Sequence, residues 1–245
     1  YLLPTRAQAM RLIDMAGHDN LYLQYDVYHA QRMEGNLAAN IRTHIERINH
    51  VQIADSPHRH QLGTSEINFP YVLGTLDDVG YQGWVSLEYR PLGNTLDSLG
   101  WLREWQRVLT PGGTVAFSSF GPSFLQPLRD LWAARLNKYG VTLPPLPNRR
   151  LEDLAVCQRL LSEAGFSSIE VRLEQLGYYV PTAEERWRDI ESGLEGLILA
   201  KLSAEQRQQI KAEHLAELAT IASTPQGIWI DMPVILSFGR KPATT

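Results

Sequence analysis

The chain has 245 residues, with 23 Lys and Arg against 27 Asp and Glu for a formal net charge of −4, and it is 44% hydrophobic and 20% charged. This is the balance of a globular protein with room for one large or two smaller α/β domains, and it gives no electrostatic reason to expect nucleic acid as a partner. No run of about 18 apolar residues is present to span a bilayer, no charged-then-apolar leader opens the chain, and the single cysteine, Cys157, cannot form an internal disulfide.

The lone thiol fits a reducing compartment, so a cytoplasmic protein without membrane or nucleic-acid partners is expected. In chain order, Tyr1 opens without methionine, which reads as a cut amino end. Thr5 caps a helix over 5–16 that Gly17 stops. A strand at 21–26 follows, then a helix over 36–48 whose Leu37, Ile41, Ile45 and Ile48 form one stripe. Strand 50–54, helix 68–79, strand 84–89 and helix 95–105 complete this segment. Strands alternating with helices of this length give βαβ units with parallel neighbours. Three strands cannot close an eight-stranded barrel, so part of a (β/α) barrel is expected.

Each of these strands ends on an oxygen-bearing side chain: Asp26, Gln52 and Glu88. Residues at the carboxyl ends of successive barrel strands converge on one mouth. Three oxygen donors there suit a hard divalent cation. The plainer alternative is that Asp26 and Glu88 cap the loops that follow them. His18, His44 and His50 have no partner spacing and are expected at the surface or at helix ends. Trp84 and Trp101 are expected in packing, and Cys157, beside Leu160 and Leu161 in a helical pattern, is expected to be a core thiol.

Five stretches taken together, residues 1–5, 23–35, 50–57, 63–68 and 80–91, resemble the hydroxypyruvate isomerases of the xylose isomerase-like TIM-barrel family. The resemblance covers residues 1–104. It implies a divalent metal, Mg or Mn, held by glutamate, aspartate, glutamine or histidine, and glutamate from four strand ends. Asp26, Gln52 and Glu88 match the second, third and fourth of these, and the first would precede Tyr1. His29 and Arg59 fall where the family holds substrate oxygens, with Asp55, His58 and His60 as a polar rim. The implied reaction is an aldose–ketose type isomerisation of a small hydroxy-keto acid. A proton beside the carbonyl is removed to give an enediolate whose charge the metal stabilises. Glu88 is the catalytic glutamate that remains of the family's pair, so the machinery is expected to be incomplete.

Beyond residue 105 the pattern changes. Residues 106–120 read as a helix end, a Pro111-Gly112-Gly113 turn and a buried strand. Leu160–Phe166 leads into a strand at 169–173, and a closing strand is expected over 227–240. These motifs resemble the carboxyl-terminal half of class I S-adenosylmethionine-dependent methyltransferases, a Rossmann-like fold, over 105–245. The Gly-rich loop that would cradle that cofactor is missing, so no cofactor-binding residue is expected. Tyr178, Tyr179, Trp187 and His214 read as packing residues, or alternatively as remnants of a substrate cap. Residues 183–221 read as a two- or three-helix insertion, and Asn148-Arg149-Arg150 as too short a basic patch for nucleic acid.

The two resemblances meet within residues 100–109 with no Gly/Ser or Pro-rich linker. This suggests a chimera of two fragments, of natural, engineered or sequence-assembly origin. Three functional readings remain at this point: a metal-dependent isomerase, a methyltransferase, or a non-catalytic remnant that self-associates through exposed sheet edges.

Overall fold

The computed structural model describes residues 3–144, 151–221 and 225–243. The basic tract at 148–150 and the first two residues of the Tyr1–Thr5 motif lie outside the described residues. The chain divides into two compact units, Tyr1–Trp101 and Leu102–Thr245.

The first unit starts with α1 (Arg6–Ala16). Thr5 and Gln8 form a reciprocal capping box at its start, and Gly17 ends it at φ 57°, a left-handed backbone that glycine adopts without penalty. Then come β1 (Leu23–Asp26), α2 (Val27–Met33), α3 (Leu37–His44), β2 (Ile48–Ile53), α4 (Phe69–Asp78), β3 (Trp84–Leu87) and α5 (Thr95–Ser98). The three strands form one parallel sheet in the order β1-β2-β3, with Asp26 opposite Gln52 and Gln52 opposite Ser86. Successive side chains alternate between faces. Leu23, Tyr25, Val51 and Ile53 are therefore buried on one face, and Ile41, Val72 and Leu76 add helical core positions. Gln24, Asp26, His50, Gln52 and Ser86 share the other face. Burial of the apolar set fixes the register, and the register places the polar set.

Several local expectations change. The stripe that ended at Ile48 does not stay helical: α3 stops at His44, a 3-10 turn spans 45–47, and Ile48 begins β2. Pairing with Leu23 buries Ile48 in the sheet, which outweighs its place in the helical stripe. α2 was not anticipated at all. Helix 95–105 is interrupted at Leu99-Gly100, giving α5 and α6 (Trp101–Val108). Trp84 is 63% exposed rather than packed, because it projects on the polar face. His50 lies within β2, not at a helix end, and its Nε2 is 2.7 Å from Ser86 Oγ.

The second unit contains β4 (Thr114–Phe120), α7 (Leu128–Lys138), α8 (Leu154–Glu163), β5 (Ser167–Glu174), β6 (Gly177–Val180), α9 (Ala183–Ser192), α10 (Ala204–Ile221), β7 (Ile228–Asp231) and β8 (Val234–Arg240). β8 lies between β4 and β5, antiparallel to both, and β6 pairs separately with β7. The expected single strand over 227–240 is thus two strands in two sheets. Pro233 separates them, since it has no N–H to give a ladder. The 183–221 stretch is α9, a 3-10 stretch and α10, as the amphipathic pattern suggested. Trp132, Leu136, Trp187, Ile190 and Ile210 pack into one core cluster. Trp187, His214 and Cys157 are buried as expected, whereas Tyr178 and Tyr179 are exposed and do not pack as core. No helix among the described residues is long and apolar enough to cross a membrane.

Candidate functional site

Asp26 is both the last residue of β1 and the N-cap of α2. Its Oδ1 accepts the backbone N–H of His29 at 3.1 Å, satisfying one of the orphan donors of the first helical turn. That bond fixes the rotamer and leaves Oδ2 facing along the sheet. Gln52 stands opposite on β2, almost fully buried. Its Nε2 donates to Asp26 Oδ2 at 3.3 Å and, in a shorter bond, to Glu88 Oε2. Gln24, two residues before Asp26 and on the same face, donates Nε2 to Gln52 Oε1 at 2.6 Å. Glu88 follows β3, and its backbone N–H donates to Ile53 O at 3.3 Å, carrying the ladder one step further.

The loop after β2 delivers the fifth group. Asp55 is fully buried, and its carboxylate accepts four backbone N–H groups: Ser56 at 2.9 Å, Thr64 at 3.0 Å, Ser65 at 2.8 Å and Ile67 at 3.1 Å. Asp55 is therefore the internal anchor of the loop, not part of an exposed rim. On this anchor Arg59 adopts φ 61°, its N–H donating to Asp55 O and its carbonyl accepting from Arg90. The Arg59 guanidinium then enters the carboxylate pair. Nη2 lies 3.0 Å from Glu88 Oε2 and 3.5 Å from Asp26 Oδ2, Nη1 is 3.3 Å from His29 Nε2, and Nε donates to Glu88 O at 3.3 Å. A guanidinium has no acceptor, so the contact with His29 holds when Nε2 offers its lone pair. The Tyr28 ring lies under the guanidinium, with Cζ 5.2 Å from the ring centroid.

All five sequence-derived residues, Asp26, His29, Gln52, Arg59 and Glu88, thus meet in one cluster. Sequence reasoning missed Gln24, Tyr28 and the structural role of Asp55. Gln24 had a signal in its place two residues before Asp26. Tyr28 had one in its place within the Asp26–His29 motif. A cleft of about 190 Å³ adjoins the cluster, with Asp26, His29, Arg6, Tyr25 and Glu34 among its lining residues. It is smaller than the roughly 300–1,000 Å³ of pockets for drug-sized ligands, and Gln52, Arg59 and Glu88 are not among its lining residues. Burial pushes the Tyr25 phenol up to about 12, and its hydroxyl donates to Leu37 O at 3.4 Å.

The chemistry of the donor set can be tested against a hard cation. Among the described residues no three His, Cys, Asp or Glu side chains form a group that could hold a metal ion. Two carboxylates with an amide oxygen make a different set, and it fits an oxygen-liganded divalent cation. Its requirement is that the Gln52 amide turn over so that Oε1 faces Asp26 and Glu88. A matching turn of Gln24 preserves the amide–amide hydrogen bond.

Parallel strands, βα alternation and a polar cluster at the strand ends define a (β/α)-barrel type of site. Residues 1–105 match the xylose isomerase-like TIM barrel family. Within that segment the chain is 46% identical over 102 residues to hydroxypyruvate isomerase of Escherichia coli, covering 42% of this chain and 39% of the relative. It is 43% identical over 105 residues to 2-oxo-tetronate isomerase of Pectobacterium atrosepticum, covering 43% of this chain and 40% of the relative. A solved structure described as an AP endonuclease, family 2, from Brucella melitensis is 38% identical, covers 43% of this chain and 41% of its own, and has a TM-score of 0.41. The chain spans about 40% of the length of the curated relatives it matches. Methyltransferase structures overlap 99% and 97% of this chain at TM-scores of 0.29 and 0.34, with 15% and 12% identity.

Proposed function

We propose that residues 1–105 carry a metal-dependent isomerase-type site for a small hydroxy-keto acid such as hydroxypyruvate. The observation that supports this best is the convergence of Asp26, Gln52 and Glu88 on one another in a segment 46% identical to a hydroxypyruvate isomerase. Asp26, Gln52 and Glu88 would hold Mg²⁺ or Mn²⁺, which when bound supplies positive charge beside the developing enediolate oxygens. Arg59, a planar fork suited to carboxylates, would hold the substrate's acid group. His29, beside it, would orient a hydroxyl or carbonyl oxygen. Glu88 is the most solvent-open of the cluster's carboxylates, with its side chain 64% exposed, and so would take and return the proton next to the carbonyl.

The test is solvent exchange at C3 of hydroxypyruvate, followed by proton NMR in D₂O with Mg²⁺. Exchange above buffer is expected, and Glu88→Gln should slow it by about 10²–10⁴-fold, the usual worth of a positioned acid–base group. Exchange in the wild-type chain no faster than in buffer would contradict the proposal.

For the second unit we hold to a fold-level reading. The segments that resemble methyltransferases, β4, β5 and β8, pair in one sheet with β8 antiparallel to the other two, so the sheet does not by itself reproduce the mostly parallel Rossmann-like arrangement. Without a Gly-rich strand-to-helix loop, binding of S-adenosylmethionine is not part of the proposal.

A further inference from the structure

The space between the two carboxylates is filled by nitrogen. Arg59 Nη2 contacts both Asp26 and Glu88, and Gln52 Nε2 donates to the same two groups. The guanidinium is built into this position rather than resting there. Its Nε and Nη1 bind Glu88 O and His29, its face lies on Tyr28, and its backbone is pinned to the Asp55-anchored loop. A divalent cation needs the same carboxylate oxygens, and a guanidinium beside it in a partly buried site is strongly repelled. Both cannot occupy the pair at once.

We infer that Arg59 is an internal counter-cation, which a divalent metal must displace before the guanidinium can receive the carboxylate of an acid ligand. This rests on the metal-site reading above and adds an order to it, cation first and acid second. Displacement reverses the Gln52 amide, with Gln24 turning to keep their bond. The Arg59 fork then loses its carboxylate partners and is left free for the acid, while its loop stays anchored by Asp55. Two consequences follow. The apparent metal affinity is lowered by the fraction of molecules with Arg59 in place. Acid binding through Arg59 requires the metal, by reciprocity of coupled equilibria.

The experiment uses the full chain and its Arg59→Asn variant, since Asn tolerates the left-handed backbone at this position. Mn²⁺ binding is measured by electron paramagnetic resonance, and glycolate binding by calorimetry with and without Mg²⁺. The variant is expected to bind Mn²⁺ more tightly, by up to about fivefold, the upper end of what releasing a partly exposed ion pair gives. The wild-type chain should bind glycolate only with Mg²⁺ present. Equal or weaker Mn²⁺ binding by the variant overturns the inference while leaving the metal site standing. Binding of Mn²⁺ by neither protein removes the metal site and the inference together. A second readout needs only the wild-type fold: the ¹⁵N-arginine Nε–H resonance that the variant lacks should move when Mg²⁺ binds. A resonance that stays fixed as Mg²⁺ saturates the protein also overturns the inference.

Discussion

Asp26, Asp55 and Arg59 divide the work of the site at the residue scale. Asp26 spends one oxygen on the first turn of α2 and keeps the other for the cluster, so one side chain ties a backbone constraint to a chemical one. Asp55 binds loop backbone with its carboxylate, and its four accepted N–H bonds set the path of the loop that carries Arg59. Removing a buried acceptor leaves donors without water or protein partners, at about 1–3 kcal/mol each. Asp55→Ala is therefore expected to destabilise the first unit by at least about 3 kcal/mol in urea unfolding, several such donors being orphaned together. A loss under about 1 kcal/mol, the size of an ordinary net hydrogen bond, would show that the loop does not depend on this carboxylate.

At the scale of elements, burial decides which segment takes which form. Ile48 leaves the helical stripe for β2 because the sheet buries it against Leu23, and Pro233 splits the closing strand because it cannot donate to a ladder. In the second unit Trp132 on α7 meets Trp187 on α9 edge to face, with ring centroids 6.0 Å apart, and both rings are almost fully buried. Trp132→Ala should cost about 3–5 kcal/mol, the range for a large aromatic removed from a core, read as a shift in the denaturant midpoint at unchanged slope. A cost near 1 kcal/mol would mean that α7 and α9 do not share a rigid core.

What the sequence made legible follows from the same physics. Period-2 strands followed by helices are local patterns, so the parallel β1-β2-β3 sheet and the side chains at its strand ends could be read directly. Asp26 as a helix cap was legible in principle, since an N-cap residue followed by helix formers is a start signal. The sequence offered Asp26 as a cap for a following loop, and the helix it caps, α2, was the part not read. The buried work of Asp55 was not legible, because its partners lie up to 12 residues away in a loop without periodicity. The occupation of the carboxylate pair by Arg59 was equally hidden, since the loop conformation that aims the guanidinium has no sequence period.

At the scale of the whole molecule, each unit responds to its own conditions. In the second unit His214 is buried between Trp132 and Trp187, with Glu217 at 3.1 Å and the charges of Arg186 and Arg135 nearby. Burial lowers its proton affinity below the usual histidine value of 6.5, and the two arginine charges add to this, while the Glu217 contact opposes it. The folded state thus holds His214 neutral where the unfolded chain protonates it. Stability is complete above about pH 6.5 and is lost as pH falls below it. Burial alone would raise the Glu217 carboxyl, but hydrogen bonds from Arg135 and His214 bring it below its usual 4.5, so its contribution is also lost on further acidification. His214→Gln should flatten the stability of the second unit between pH 7 and 5, as followed by tryptophan fluorescence in urea. An unchanged slope would move the acid sensitivity elsewhere.

The first unit should respond to metal, and that response bears most directly on the site at its strand ends. The decisive measurement is an electron paramagnetic resonance titration of the full chain with Mn²⁺, beside Asp26→Asn and Glu88→Gln. Asn still caps α2, so the first substitution removes a charged donor without removing the cap. One Mn²⁺ per chain is expected in the wild type, with binding at least about tenfold weaker in each variant, the effect of losing a single carboxylate–cation contact worth about 1.4 kcal/mol. Absence of bound Mn²⁺ at millimolar concentration, or binding that neither substitution alters, would contradict the assignment of Asp26, Gln52 and Glu88 as a metal-holding cluster.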